Sequence, residues 1–513
     1  MRNSPYSRAA LQHGVMKALS GKVVSALLTF TILLWLVRLM PVAEYGAYII
    51  LVAGMELGFG LSGFGLTWLA ARYLPEYRVH ASGADLAEIC RQLLVWNALA
   101  LLIFITLFAL LLDSYLDWIG LEFIHISAQI YLAVMLVEGL GRFLRANLME
   151  PLMLHGGARS CMVLRQLCFL ILIAILDFTD HGQLFWVACV ELISSVLGMV
   201  LALIILWRHL QVLRDQSRRP EWLIPELSTQ WHMAVSMYST QLLTLVYSPQ
   251  VFVNLIQRSL GVEAAALFGF LHTLQDQVAR YLPANLLLSI IRPKLVASYI
   301  EGGGMAELSR NANFAGKLSL FILMPVIALT ALFGDSVVAW LSGSKFMDSG
   351  WLLFGLMLVL VPLSQRQLTE SVAVISGHAR LCTWAAAVGL IVFPLMWGML
   401  QMGLGLWAAV IAICLGHLLF NSFVVAMLSI RFGYRSDWVG FLKLILSVLT
   451  AYGASALLRT EDSGAWASPG LLMTLQCLLV VIIYLAIIWW IKAFVANERN
   501  HIFNFLKDKI YIW

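Results

Sequence analysis

The sequence predicts an all-α polytopic membrane protein with about 14 transmembrane helices. They form two pseudo-symmetric six-helix lobes plus two C-terminal helices. Three observations predict it. Of 513 residues, 61% are hydrophobic and only 12% are charged, and the mean hydropathy is +0.87. An average soluble chain carries about 25% charged residues, and a soluble fold has too little interior to hide this much apolar surface. The apolar residues also gather in runs long enough to cross a hydrocarbon core. Finally, the two halves of the chain repeat at a shift of 220 residues. This composition excludes a soluble enzyme, a disordered protein and a nucleic-acid binder. The net charge of +5 bears on orientation rather than on an anionic partner.

The spans follow in order. Span one, 16–40, lies behind Arg2, Arg8 and Lys17. Its apolar run exceeds a signal-peptide core, and no small-residue cleavage site follows, so it is expected to be retained. Span two, 45–71, is glycine-rich, and spans three to six cover 92–112, 126–146, 161–178 and 184–207. A basic connection near 208–230, with Arg208, Arg214, Arg218, Arg219 and Pro220, separates the halves. Span seven, 233–256, is polar for its depth, with Ser236, Tyr238, Ser239, Thr240, Gln241, Tyr247 and Gln250. Pro249 lacks the N–H its helix needs and should interrupt it. Spans eight to fourteen cover 263–290, 312–333, 350–374, 381–402, 404–428, 439–458 and 468–492. Pro283, Pro325, Pro362 and Pro394 mark further expected bends.

An even number of spans puts both termini on one side. With the termini inside, only Arg38, Arg258, Lys345 and Arg459 of the 33 Lys and Arg fall in external segments. Lys22, Arg280 and Arg366 lie deeper in helices, and the remainder are cytoplasmic. That bias orients the chain with cytoplasmic termini. The cysteines, Cys90, Cys161, Cys168, Cys189, Cys382, Cys414 and Cys477, are scattered and odd in number. They read as small packing residues rather than a disulfide framework or a metal site, and no metal or cofactor is expected.

The repeat superimposes Arg38 on Arg258, Val42 on Val262, Glu56 on Asp276 and Arg72 on Arg292 at the shift of 220. A shift of 222 pairs Ala109, Asp113, Ser114 and Trp118 with Ala331, Asp335, Ser336 and Trp340. Equivalent helices cross in the same direction, which is parallel duplication about an axis along the membrane normal, as in some transporters. The expected lobes are 1–220 with spans one to six and 221–430 with spans seven to twelve. Residues 431–513 hold spans thirteen and fourteen and a cytoplasmic tail.

Two stretches carry a family resemblance. Arg38-Leu-Met-Pro-Val-Ala-Glu-Tyr-Gly-Ala-Tyr, with Gly63-Phe-Gly-Leu and Arg72-Tyr-Leu-Pro-Glu-Tyr, resembles the opening of bacterial polysaccharide flippases. These belong to the multidrug/oligosaccharidyl-lipid/polysaccharide exporter superfamily. Leu332-Phe-Gly-Asp, Gly343-Ser-Lys-Phe and Ser349-Gly resemble that family's loop between helices nine and ten. The resemblance implies a transporter, not an enzyme. It implies movement of undecaprenyl-diphosphate-linked oligosaccharide across the bacterial inner membrane by alternating access, for O-antigen, exopolysaccharide or capsule. Its partners would be that lipid-linked oligosaccharide, membrane lipids and a coupling H+ or Na+. By resemblance, helices one, two, seven and eight line the cavity. The alternatives are a lipid-linked peptidoglycan precursor as substrate, a cation-coupled multidrug antiporter of the same superfamily, and a membrane polysaccharide polymerase or glycosyltransferase. The last normally needs a sizeable catalytic loop, and the external loops here are short.

Charge at membrane depth is costly and usually faces a partner or a wet cavity. His272, Asp276 and Arg280 share one face of span eight at i, i+4 and i+8. Arg280 offers a fork of donors to a diphosphate, and Asp276 either holds Arg280 or carries the coupling ion. Lys22 either snorkels to the headgroups or lines the inward mouth. Lys22, Arg280, Gln241 and Tyr238 are therefore the candidate substrate-binding residues, and Glu56, Asp276 and His272 the coupling or charge-pair candidates. Glu138, Arg142, Arg145 and Arg165 read mainly as topology-setting charges, and Arg366–Glu370 as a self-paired i, i+4 couple. Gly58-Phe-Gly60-Leu-Ser-Gly63 matches G-x-G-x-x-G, but it sits inside an apolar helix with no βαβ unit around it. Close helix packing at Gly54 and Gly58 is the better account.

Overall fold

The computed structural model describes residues 8–214, 227–283, 304–457, 469–495 and 498–499. Arg2, Arg218, Arg219, Pro220, Arg292, Arg459, residues 284–290 of span eight and most of the tail lie outside them, as does the Ser236 side chain. The described chain is helical, without strands. Twelve helical stretches among the described residues are long and apolar enough to cross a membrane. The chain divides into two compact units, Met1–Phe270 and Leu271–Trp513.

In the N-terminal unit the helices are α1 (Arg8–Leu39), α2 (Val42–Leu61), α3 (Leu66–His80), α4 (Gly83–Ile119), α5 (His125–Arg142), α6 (His155–Phe178), α7 (Leu184–Val212), α8 (Leu227–Val246) and α9 (Pro249–Leu260). A π-helical turn, Phe143–Met149, continues α5. Helix α10 (Val262–Tyr281) runs across the boundary between the units. Inside the unit α1 packs on α6, α5 on α7, and α2 on α9.

The local chemistry explains most boundaries. Ser82 and Asp85 form a reciprocal capping box at the start of α4, satisfying two orphan N–H groups. Gly120, at φ 71°, closes the same helix. The expected span seven breaks where its proline lies: α8 stops at Val246 and Pro249 opens α9 at its first position. Span two also breaks, and here the expectation of one helix over 45–71 is corrected. The chain turns at Ser62–Gly65, with Phe64 at φ 42° and Gly65 at φ 76°. A Cβ on Gly65 would run into the Ala234 carbonyl of α8, so only glycine fits both the left-handed backbone and the contact. Gly58 packs tightly on Met135, whereas Gly54 has open space, so the two do not form one packing pair.

Helix α4 has 37 residues, about 55 Å at 1.5 Å per residue, so it overshoots the roughly 30 Å hydrocarbon core. Trp96, Leu99, Ile103, Leu107 and Leu110 are all exposed along it at helical spacing. Such a stripe belongs against lipid, since water would leave it uncovered.

The C-terminal unit holds α11 (Gly304–Ser342), α12 (Gly350–Ile375), α13 (Arg380–Gly389), α14 (Val392–Gln401), α15 (Trp407–Phe432), α16 (Trp438–Leu457) and α17 (Pro469–Ile491). Helix α11 packs on α12, α12 on α15, and α16 on both α11 and α17. Pro325 and Pro362 stay inside continuous helices, and Pro283 lies just past α10. The helix frame repeats. Val42–Leu61 recurs as Val262–Tyr281, 220 residues on at both ends. Gly83–Ile119 recurs as Gly304–Ser342.

Candidate functional site

The N-terminal unit carries a charged interior. Arg142, on α5, donates from both terminal nitrogens to the Glu56 carboxylate of α2, at 2.7 and 2.8 Å. The guanidinium lies over the Phe59 ring, 4.6 Å from its centroid. Behind it, Arg145 donates to Glu138 at 2.7 Å, and Arg165 of α6 reaches Glu138 at 3.0 Å and Glu191 of α7 at 3.5 Å. Arg165 also donates to the Ser195 hydroxyl, and the Tyr131 hydroxyl donates to Glu191 at 2.6 Å. Three arginines thus meet three glutamates. Charges this deep need such partners. The π-helical turn sits at this cluster, a place where such turns often mark function.

Beside Arg142 opens a cleft of about 120 Å³. At about 30 Å³ per water it holds roughly four waters. Its walls are Phe59 on α2, Ser62 and Gly63 in the turn, Thr67 on α3, Asn97 and Leu101 on α4, Gly139 and Arg142 on α5, Phe143 and Asn147 on the π-helical turn, and Gln241 on α8. Asn97 is buried, and its Oδ1 accepts no hydrogen bond.

The C-terminal unit is organised differently. Lys317 of α11, fully buried, lies 2.8 Å from Asp437 and 2.5 Å from Glu498. Burial pushes the Asp437 carboxyl up, but the Lys317 ammonium and the Gly440 N–H outweigh it and hold the group below the ordinary carboxylate value. On α12, Arg366 stacks over the Phe420 ring at 4.3 Å and contacts His417 of α15 at 3.3 Å. Asn421 donates to the Pro362 carbonyl at 2.7 Å and accepts from Thr369 at 3.1 Å.

The expected site residues fall as follows. Gln241 lines the cleft, and Glu56 does not line it but is bound to Arg142, which does. The Tyr238 hydroxyl donates to the Leu61 carbonyl, an orphan acceptor at the end of α2, so it ties α8 to that end. Lys22 is half-buried on α1. His272 and Asp276 face one another at 3.7 Å. Two expected helix pairs do not form. Arg280 lies exposed in the last turn of α10, where the helix dipole favours a cation, and makes no ion pair with Asp276. Arg366 turns to His417 instead of Glu370; an arginine placed N-terminal to its acid is the weaker i, i+4 order. Glu191, Lys317, Asn97 and His417 are not among the residues expected from sequence. Glu191, Asn97 and His417 are lone polar residues inside apolar runs, which is a usable signal, whereas Lys317 follows Arg310, Asn311 and Asn313 and carries none.

No family model matches the chain, and no curated protein matches it. Solved structures do. The chain is similar to the lipid II flippase MurJ in an inward closed conformation, with a TM-score of 0.66, 10% identity, and coverage of 92% of this chain and 97% of that one. It is similar to an inward-facing multidrug resistance MATE family transporter of the MOP superfamily, with a TM-score of 0.57, 17% identity and coverage of 81% and 98%. A MATE transporter of Vibrio cholerae matches with a TM-score of 0.54, 15% identity and coverage of 83% and 99%. The fold is the one found in transporters of the MOP superfamily, in a multi-pass membrane protein.

Proposed function

We propose that the protein is a flippase for a polyprenyl-diphosphate-linked oligosaccharide in a bacterial inner membrane, working by alternating access in surface polysaccharide synthesis. The observation that carries this reading is the extent of the likeness. The lipid flippase matches 92% of the chain, whereas the MATE transporters match 81–83%. The polysaccharide-flippase motifs of the sequence point the same way. In this reading 1–220 and 221–430 act as the moving lobes, and 431–513 carries the two added helices and the tail, with both termini cytoplasmic. Lys22, Arg280 and Arg366 are the cations offered to the diphosphate, and Gln241 and Tyr238 flank the sugars. Arg366 earns inclusion because a ring and an imidazole, not a carboxylate, face it. Coupling falls to Asp276 with His272, since Glu56 is occupied by Arg142.

A cation-coupled multidrug antiporter is the second reading, favoured by the MATE likenesses and the acid at Asp276. A strain lacking the gene separates the two. Loss of surface polymer with complete lipid-linked repeat units held at the cytoplasmic face supports the flippase. Unchanged polymer with new sensitivity to cationic drugs selects the antiporter. Arg280→Ala at normal expression tests the diphosphate role; full export by that variant removes it.

A further inference from the structure

We infer that the cleft in the N-terminal unit is a sugar subsite, a charge-neutral pocket that takes the hydroxyl-bearing edge of one ring of the lipid-linked saccharide. The inference rests on the flippase reading and adds where, and by what chemistry, the saccharide is held.

Charge is the first ground. Arg142 is the cation on the wall of the cleft, and both its terminal nitrogens are bound to Glu56. A diphosphate could take Arg142 only by displacing Glu56, and the freed carboxylate would then repel it. Nor is there surplus charge behind the wall, where Arg145 and Arg165 meet Glu138 and Glu191. A hydroxyl has no such conflict. A carboxylate has about four acceptor positions and a guanidinium five donors. The two hydrogen bonds of the pair leave free positions of both kinds, and a sugar hydroxyl both donates and accepts.

Asn97 is the second ground. It lies on the wall of the cleft, is 7% exposed, and its Oδ1 has no hydrogen-bond partner. A buried acceptor left unmade is costly. A turn of the Asn97 amide that brings this oxygen to the cleft would let a hydroxyl supply the missing donor, whereas a phosphate, with only acceptors to offer, would not. Asn147 and Gln241 add an amide each from other sides. Amides carry both donors and acceptors, the mixture a polyol requires. The third ground is size: at about 30 Å³ per water the cleft holds roughly four waters, room for the hydroxyl-bearing edge of one sugar ring and far short of a whole lipid-linked oligosaccharide.

The test uses full-length protein in lipid nanodiscs and two probes. One is the lipid-linked repeat unit that accumulates in the strain lacking the gene; the other is undecaprenyl diphosphate without sugar. Binding of each is compared for the wild type, Asn97→Leu and Gln241→Ala. Asn97→Leu removes an orphan acceptor, so the empty protein should melt no lower than wild type. Binding of the sugar-bearing lipid should weaken roughly five- to tenfold, with binding of the bare diphosphate unchanged. Gln241→Ala should move the sugar-bearing lipid alone, in the same direction. Equal weakening of both probes, or no change in either, overturns the subsite and leaves the flippase reading standing. Wild-type protein that binds neither probe overturns both.

Discussion

Glu56 and its repeat counterpart Asp276 occupy the same position of matching twenty-residue helices, yet they are used differently. Glu56 closes a bidentate pair with Arg142, whereas among the described residues Asp276 pairs with the ring of His272, at 3.7 Å. The contrast extends through both interiors. In the N-terminal unit the three interior arginines have carboxylate partners. In the C-terminal unit Arg366 has an imidazole and a phenyl ring, while Lys317 is shared by two carboxylates. The frame depends on helix length and apolar pattern, which a duplication copies and drift preserves. The polar contents depend on single residues, which drift rewrites. Two helices of matching length and register can thus carry different polar chemistry.

The largest expected effect comes from breaking the most buried of these clusters. Lys317→Met leaves Asp437 and Glu498 without their cation and should cost about 3–5 kcal/mol, the range for removing one partner of a buried pair. Thermal unfolding of the detergent-purified protein measures it. A triple variant with Lys317→Met, Asp437→Asn and Glu498→Gln should recover much of the loss. Wild-type stability in Lys317→Met alone would mean that the cluster does not hold the C-terminal segment. The half-exposed pair of the N-terminal unit should matter less. A double-mutant cycle on Glu56→Gln and Arg142→Gln should return about 1 kcal/mol or below, because the two side chains are 34% and 43% exposed. A coupling as large as that at Lys317 would erase the contrast between the units.

The helices were legible from hydropathy and length, and the break at Pro249 from the missing N–H. The repeat read from four matched residues reappears as matched helix ends. The turn at Phe64–Gly65 was not legible, because its glycines fit helix packing equally well until α8 is seen against them. Charge pairing was legible only as a need. Local i, i+4 spacing pointed to Asp276–Arg280 and Arg366–Glu370, and neither forms. The pairs that do form join Glu56 to Arg142 and Lys317 to Glu498, 86 and 181 residues apart. Spacing along one helix carries no information about partners on another. For the same reason Asn97 looked like one polar residue in an apolar run, and only the cleft gives its unpaired oxygen a meaning.

The smallest effect concerns acid. Asp437 lies outside the spans, between α15 and α16, so protons reach it from water. Burial opposes its ionisation, but Lys317 and the Gly440 N–H hold its folded value below the ordinary 3.8. A carboxyl depressed on folding stabilises the protein above its unfolded value, and that share is lost as pH falls through the folded one. The stability gap between wild type and Asp437→Asn should therefore be constant above about pH 5 and shrink progressively below pH 4. Unfolding temperatures of both proteins across that interval measure it, and other acids common to the two cancel in the difference. A gap that stays constant down to pH 3, or widens, would mean that Lys317 does not depress Asp437, and with that the ionic character assigned to this cluster would fall.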